Sequence, residues 1–306
     1  MTENDFLLSL ERRFPARRPV LVGIGDDGAV VEADSSRKVV VVTDMLLDGT
    51  HFRLSEISPA LAGRKALAVN LSDLAAMLAR PTAAFISLAL PRGSGGDQGF
   101  SDQLYQGLQQ LADQYQCVIA GGDTNSWDGP FAINVTLTGS PLGKQIPLRS
   151  GAAPGDSLFV TGPLGGSLQH QRHLTFSPRL DAAQWLADNV SLSALMDISD
   201  GLATDLPRMM LASHTAAILE AAQIPIHPDV PLQLPDEQRL QAALNDGEDF
   251  ELLLAVPATA VALLQSAPQG LHFHPVGSVH TGSGVQLKLP HGQLVDLPAG
   301  GWQHRL

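Results

Sequence analysis

Carboxylates set among glycines recur along this chain of 306 residues, and their types and spacing suit the binding of hard cations. Gly23-Ile24-Gly25-Asp26-Asp27-Gly28 puts two adjacent acids in a tight turn. Val42-Thr43-Asp44-Met45-Leu46-Leu47-Asp48-Gly49-Thr50-His51 begins where the apolar run Lys38–Val42 reads as the end of a buried strand, a favoured place for ligand groups. Asp73 is a carboxylate on a mostly apolar helical pattern. Gly121-Gly122-Asp123-Thr124 and Asp197-Ile198-Ser199-Asp200-Gly201 repeat the theme of a strand followed by an acid. A lone Asp in such a place is ordinarily a helix cap or an exposed turn. Several of them, with no Lys or Arg between, would repel one another unless cations sat among them.

Asp and Thr oxygens favour Mg²⁺, Ca²⁺ or Mn²⁺ over softer metals. No run fits the EF-hand loop, so Mg²⁺ sharing its coordination with phosphate oxygens is the better reading. The single cysteine, Cys117, excludes an internal disulfide and a Cys-rich zinc site. The ten histidines are scattered; His170/His173 and His272/His274 lack the acidic neighbours of a zinc pattern and read as surface or packing residues. Residues 23–28 match G-x-G-x-x-G, but the dinucleotide fingerprint needs a helix after the glycines. Here Ala29-Val30-Val31 and then Val39–Val42 read as an extended hairpin, and two carboxylates would face the pyrophosphate. Gly139–Gln145 fails the P-loop spacing, and no protein-kinase catalytic loop is present. The residues themselves lead to a phosphate or nucleotide site with several Mg²⁺ ions, spread over both halves of the chain.

Nineteen Lys+Arg against 31 Asp+Glu give a formal charge of −12, which argues against non-specific nucleic-acid binding and against docking on anionic membrane. With 44% hydrophobic and 16% charged residues the composition is that of an ordinary globular protein. The first fourteen residues carry early acids and no signal-peptide stretch, and no apolar run is long enough to span a membrane, so the expectation is a cytoplasmic protein. The segments 23–28, 43–51, 70–76, 121–124, 197–201 and 245–251 hold twelve of the acids and no Lys or Arg. On that count the negative charge reads as a concentrated cation-binding site.

These residues need elements to position them. A helix is expected from Thr2-Glu3-Asn4-Asp5 up to Pro15. A long one runs from Ser58-Pro59 to an Arg80-Pro81 stop, with Leu67, Leu71, Leu74 and Leu78 facing the core and Asn70 and Asp73 sharing another face. Strands are expected at 84–90, 118–120 and 131–138, with a helix at 100–115. The Gly- and Pro-rich joint at 149–155 divides the chain into two α+β domains, 1–145 and 146–306. The second half mixes strands at 157–161, into Asp197, near 250–256 and near 272–279 with helices near 181–188 and from Thr204.

The segments 23–30, 43–52 and 65–77, followed in order by 121–124, 197–202 and 247–253 (Gly-Glu-Asp-Phe-Glu-Leu-Leu), resemble the thiamine-monophosphate kinases of the PurM-like superfamily. The resemblance runs from about residue 20 to the C-terminus. It implies two α+β domains, with N-terminal domains pairing in a homodimeric β-barrel that removes exposed strand edges, and an α/β sandwich-type C-terminal domain. The implied reaction is direct, in-line transfer of the γ-phosphoryl group of ATP to thiamine monophosphate, giving thiamine diphosphate and ADP with no phosphoenzyme. By the same resemblance Asp27, Thr43, Asp44, Asp73, Asp123, Asp197 and Asp200 are expected Mg²⁺ ligands, with Val42 contributing its backbone, and Asp44 and Asp73 are central. Tyr105, Gly122, Arg149 and Ser199 are expected at ATP, and His51, Glu248 and Trp302 at the thiamine substrate. Two departures are Leu78-Ala79-Arg80-Pro81, where the family has a Gly-containing turn, and a short 162–173 segment. The alternatives are another ATP-dependent activity on the same scaffold, or a catalytically silent nucleotide-binding homologue. The selenophosphate and hydrogenase-maturation branches both need cysteines that are missing from the expected places, and segments 43–52 and 247–253 disfavour the purine-cyclising branch.

Overall fold

The computed structural model describes residues 3–34, 37–92, 98–298 and 300–302; Thr2 of the expected first helix lies outside them. In chain order the first half contains α1 (Glu3–Arg13), β1 (Val20–Val22), β2 (Ala29–Asp34), β3 (Arg37–Leu47), α2 (Pro59–Ala76), β4 (Ala79–Pro91), α3 (Gln98–Gln114), β5 (Val118–Trp127) and β6 (Ala132–Pro141). Its strands form one mixed sheet in the order β1-β2-β3-β6-β4-β5. The second half contains β7 (Ser157–Val160), α4 (Leu180–Asn189), β8 (Ala194–Ile198), α5 (Leu202–Ser213), β9 (Ala216–Glu220), α6 (Asp236–Asn245), β10 (Glu251–Val256), α7 (Val261–Leu264), β11 (His274–His280), β12 (Gly284–Lys288) and β13 (Leu294–Asp296). Its sheet runs β13-β12-β9-β11-β7-β10-β8.

Helix α2 is the centre of the molecule. Ser58 caps it by accepting the Leu61 amide at 3.3 Å, and Pro59 occupies the first turn, where its missing N–H costs nothing. Its residues are buried nearly all round, the pattern of a helix with a sheet on each side. It packs on β3, β4 and β6 of one sheet and on β8 and β10 of the other. Alternation along β10 then divides the core: Leu252 and Leu254 join the cluster around α2, while Leu253 and Ala255 face Leu206, Met209 and Leu244 of α5 and α6.

Two expectations about element ends are corrected. Helix α2 stops at Ala76, not at Arg80-Pro81: Leu78 takes a left-handed φ of +44°, and the chain enters β4 at once. That turn is the one where the family resemblance expects a glycine, so a buried Leu bears the strain of about 1 kcal/mol that a glycine would avoid. Pro81 sits at a register irregularity in β4, where a missing donor is tolerated. In addition, Thr43-Asp44 and Gly121-Gly122-Asp123-Thr124 lie inside strands rather than beyond their ends. Strand β3 continues to Leu47 because β6 pairs with it throughout, and β5 continues to Trp127 against β4. The expected hairpin between 29–31 and 39–42 is present as β2 and β3, with Ala29 opposite Val41.

Candidate active site

Three carboxylates meet where the two sheets face each other across α2. Oxygens of Asp27, in the turn between β1 and β2, Asp73 of α2 and Asp197 of β8 all lie within 4.8 Å of one another. Asp44 of β3 completes the group by a hydrogen bond with Asp73. Each acid arrives on a different rigid element, so their convergence is set by the packing of both sheets on α2. Burial pushes the carboxyl groups of Asp44, Asp73 and Asp197 up from their ordinary range; for Asp73 the charges of Asp44, Asp197 and Asp27 add to it. Ser72 partly offsets this at Asp197 by donating a 2.7 Å hydrogen bond. Burial and the neighbouring Asp27 charge also lift Asp26 to about 7.

Among the described residues Arg149 is the cation that pairs with the group. Arg149 donates to Asp27 at 2.8 Å, and its backbone amide donates to Asp26 at 3.2 Å. Even so, Asp27 Oδ2 and Arg149 Nε are buried with no hydrogen-bond partner among the described residues. An acceptor and a donor left unsatisfied side by side, amid carboxylates that burial disfavours as anions, fit a site that takes a cation and an anion together. The donors are all hard oxygens, the set preferred by Mg²⁺.

The other expected ligands are placed variously. Val42 is a core residue, one position beyond the last register pair of β2 with β3, Ala29 opposite Val41. The Thr43 side chain turns to the opposite face of β3, where its hydroxyl lies 3.0 Å from that of Thr136; only its backbone is on the side of Asp44. Asp200 accepts from Arg208 at 2.6 Å. The amides of Ser199 and Asp200 both donate to Asp205, a buried acid that sequence reasoning passed over and whose carboxyl is raised to about 7, chiefly by burial. Asp205 thus holds the turn that carries Ser199 and Asp200. The strand order keeps Asp123 away from the group: the register aligns Asp44, Val135, Ile86 and Gly122 across β3, β6, β4 and β5, roughly 14 Å at the usual strand spacing. Asp123 is next to Gly122 on that exposed edge strand, and it accepts from Asn125 at 3.0 Å. Within one chain it does not join the cluster. Gly122 has a packing reason as well, since a Cβ there would sit 1.7 Å from the Ile86 carbonyl oxygen. Tyr105 is exposed on α3.

The expected substrate residues gather beside the acids. His51 Nδ1 accepts the Leu47 amide at 2.9 Å, and Glu248 lies close enough to Asp44 to raise its carboxyl. Lys65 joins them: it is wholly buried, its Nζ is 2.8 Å from both the His51 carbonyl oxygen and His173 Nδ1, and it pairs with Glu248. His173 is therefore no surface residue, and sequence reasoning missed its contact with Lys65. The signal was present in Lys65 itself, a cation followed at once by the apolar run Ala66–Val69. Burial opposes ionisation of Glu248, but His173 and Lys65 outweigh it and hold the carboxyl below its ordinary value. Trp302 is tied down through its amide, which donates to the Asp200 carbonyl at 3.0 Å, and its ring is exposed.

The other acids of the motifs are paired, which corrects the reading of the whole negative charge as one cation site. Asp246 accepts from the Gly166 amide, Asp249 from the Gly165 amide and Arg172, and Glu251 from Arg179 and Thr161. Asp48 accepts from the Leu54 amide.

The first-half sheet with its acid-bearing turn falls within a family match: the family model "AIR synthase related protein, N-terminal domain" matches residues 25–141. Over nearly the full chain the similarity is narrower. The thiamine-monophosphate kinase of Rhodopirellula baltica is 41% identical, over 90% of this chain and 89% of its own length. That of Bacillus subtilis is 33% identical over 99% of each. The solved structure of AaThiL complexed with AMPPCP and TMP superposes with a TM-score of 0.83 at 27% identity, covering 99% of this chain and 97% of that one. The chain belongs to the thiamine-monophosphate kinase family.

Proposed function

We propose that the protein transfers the γ-phosphoryl group of ATP in line to thiamine monophosphate, forming thiamine diphosphate and ADP. The observation that carries this reading is the under-compensated cluster of Asp27, Asp44, Asp73 and Asp197, with Asp27 Oδ2 and Arg149 Nε unpartnered, beside the Glu248–Lys65–His51 group. Asp27, Asp44, Asp73 and Asp197 would hold Mg²⁺, with Asp200 and the backbone of Val42 and Thr43 at the margin. When bound, Mg²⁺ neutralises phosphate charge so that two anionic groups can approach. Arg149 offers its free Nε–H to a phosphate oxygen of ATP, and Ser199 sits on the turn that Asp205 fixes. Gly122 and Tyr105 extend the nucleotide side, with Asp123 a further ligand if it moves in from its strand. On the acceptor side Glu248 and His51 face the thiamine moiety, and the exposed Trp302 ring suits a cationic thiazolium.

The same reading divides the chain into units 1–145 and 146–306. The open face of the first sheet, with exposed Met45 and Phe85, and the exposed strand β5 suit pairing of two copies into a barrel. The same reading makes it a cytoplasmic enzyme whose formal charge of −12 does not suit nucleic acid; among the described residues no helix is long and apolar enough to cross a membrane. Purified protein given ATP, Mg²⁺ and thiamine monophosphate should form thiamine diphosphate and ADP. Failure to do so, with ATP still bound, overturns the proposal.

A further inference from the structure

The buried Lys65 has no packing reason to be charged. It lies in the middle of α2 with no exposed surface, where a Leu or Met would fill the space without the several kcal/mol that desolvating an ammonium costs. Its three N–H donors meet three acceptors: the His51 carbonyl, His173 Nδ1 and Glu248 Oε2. Those acceptors come from three separate segments, the loop after β3, the turn at 172–174 and the loop at 246–250. Arg64, the preceding residue, ties down the same 172–176 stretch by donating to the Leu174 and Phe176 carbonyls at 2.9 and 2.7 Å.

Glu248 is the residue most constrained by this arrangement. It has a left-handed φ of +57°, uncommon for a non-glycine. Its amide donates to the Ser199 carbonyl at 2.6 Å and its own carbonyl accepts from Ser167, also at 2.6 Å. Lys65 Nζ and, at 3.2 Å, His173 Nδ1 both approach Oε2. Oε1 takes no partner among the described residues, and the side chain keeps 21% of its exposure. The carboxylate is thus gripped by one oxygen and presented by the other.

We infer that Lys65, with His173, is a positioning pair that fixes Glu248 and the His51 loop for the heterocyclic end of the acceptor substrate. The pair acts on acceptor affinity and not on the nucleotide. This rests on the assignment of thiamine monophosphate as acceptor, and steady-state kinetics of the full-length protein separates the two. Lys65→Met should raise KM for thiamine monophosphate by about tenfold or more, since a charge-assisted contact is lost, while KM for ATP stays within about twofold. Glu248→Gln should show the same split. Combining the two should cost little beyond either alone, because Lys65 acts through Glu248. His173→Ala removes one arm with less disturbance of the core and should raise the same KM by a smaller factor, which keeps the inference testable if Lys65→Met does not fold. Equal changes in both KM values, or effects of Lys65→Met and Glu248→Gln that multiply in full, would make Lys65 merely structural. An unmodified protein that turns over ATP with no thiamine monophosphate consumed would overturn the acceptor assignment and the inference with it.

Discussion

Two groups of acids sit on neighbouring parts of this molecule and are treated in opposite ways. At the junction on α2, Asp27, Asp44, Asp73 and Asp197 converge with Arg149 as the cation that reaches them, and an oxygen of Asp27 is left buried and unpaired. In the loop and strand at 246–251, every acid has its own donor: a glycine amide for Asp246, Lys65 for Glu248, Arg172 for Asp249 and Arg179 for Glu251. Burial is similar in both places, and pairing does not wholly undo it, since Asp249 is still raised to about 7. What differs is whether the chain supplies the counter-charge. Where it does, the acids build the loop that presents Glu248. Where it does not, the folded chain keeps a group of carboxylates short of counter-charge.

The comparison predicts opposite outcomes for removing a charge in each group. Asp73→Asn should leave a folded protein, because it relieves repulsion among carboxylates that burial already disfavours as anions. It should also lower turnover by on the order of 100-fold or more, the several kcal/mol that a shared metal ligand contributes. Turnover near that of the unmodified protein, measured beside its thermal midpoint, would make Asp73 a structural acid. In the loop the expected loss is stability. Arg179→Met strands Glu251 with 2% exposure and Thr161 as its remaining side-chain donor. It should cost about 2–3 kcal/mol, at the low end for a broken buried pair because Arg179 is itself partly exposed. Denaturant unfolding would read this directly, and a neutral result would mean that the loop acids are no better compensated than those at the junction.

Much of this contrast lay beyond the sequence, and the reason is physical. The acidic segments were legible one by one, and so was the apolar helix that carries Asp73, because glycine turns and a helical period are local features. The counter-charges were not. Arg172, Arg179 and Lys65 lie far along the chain from the acids they pair with and outside the six acid-bearing segments, so the absence of Lys and Arg within those segments did not show that the acids were unpaired. The same non-locality misplaced the ends of elements. Strand β3 runs past Asp44 because β6 supplies partners as far as Leu47, a fact no window around Asp44 contains. Alternation then separates Thr43 from Asp44, and strand order separates Asp123 from both, whereas the motifs alone make them equivalent.

The smallest predicted effect tests the junction against the loop in the unmodified protein. Folding raises the carboxyl pKa values of Asp44, Asp73 and Asp197, and takes Asp26 from 3.8 to about 7. Between those two values folded Asp26 binds more protons than it does in the unfolded chain, so without metal its contribution to stability falls as pH rises through the window; the raised Asp44, Asp73 and Asp197 add slopes of the same sign. The buried, raised Asp249 contributes a slope of the same sign, so the pH profile alone does not separate the two groups. Mg²⁺ does. A cation competes with protons at the junction and has no place at Asp249, which already holds Arg172. Added Mg²⁺ should therefore raise the thermal midpoint by a few degrees at about pH 8, consistent with one or two kcal/mol, and by much less at about pH 5.5. In Asp73→Asn the Mg²⁺ shift at the higher pH should shrink. A shift independent of pH, or one that survives the loss of Asp73 intact, would place the cation elsewhere and leave the unpaired acids without the counter-charge that their geometry requires.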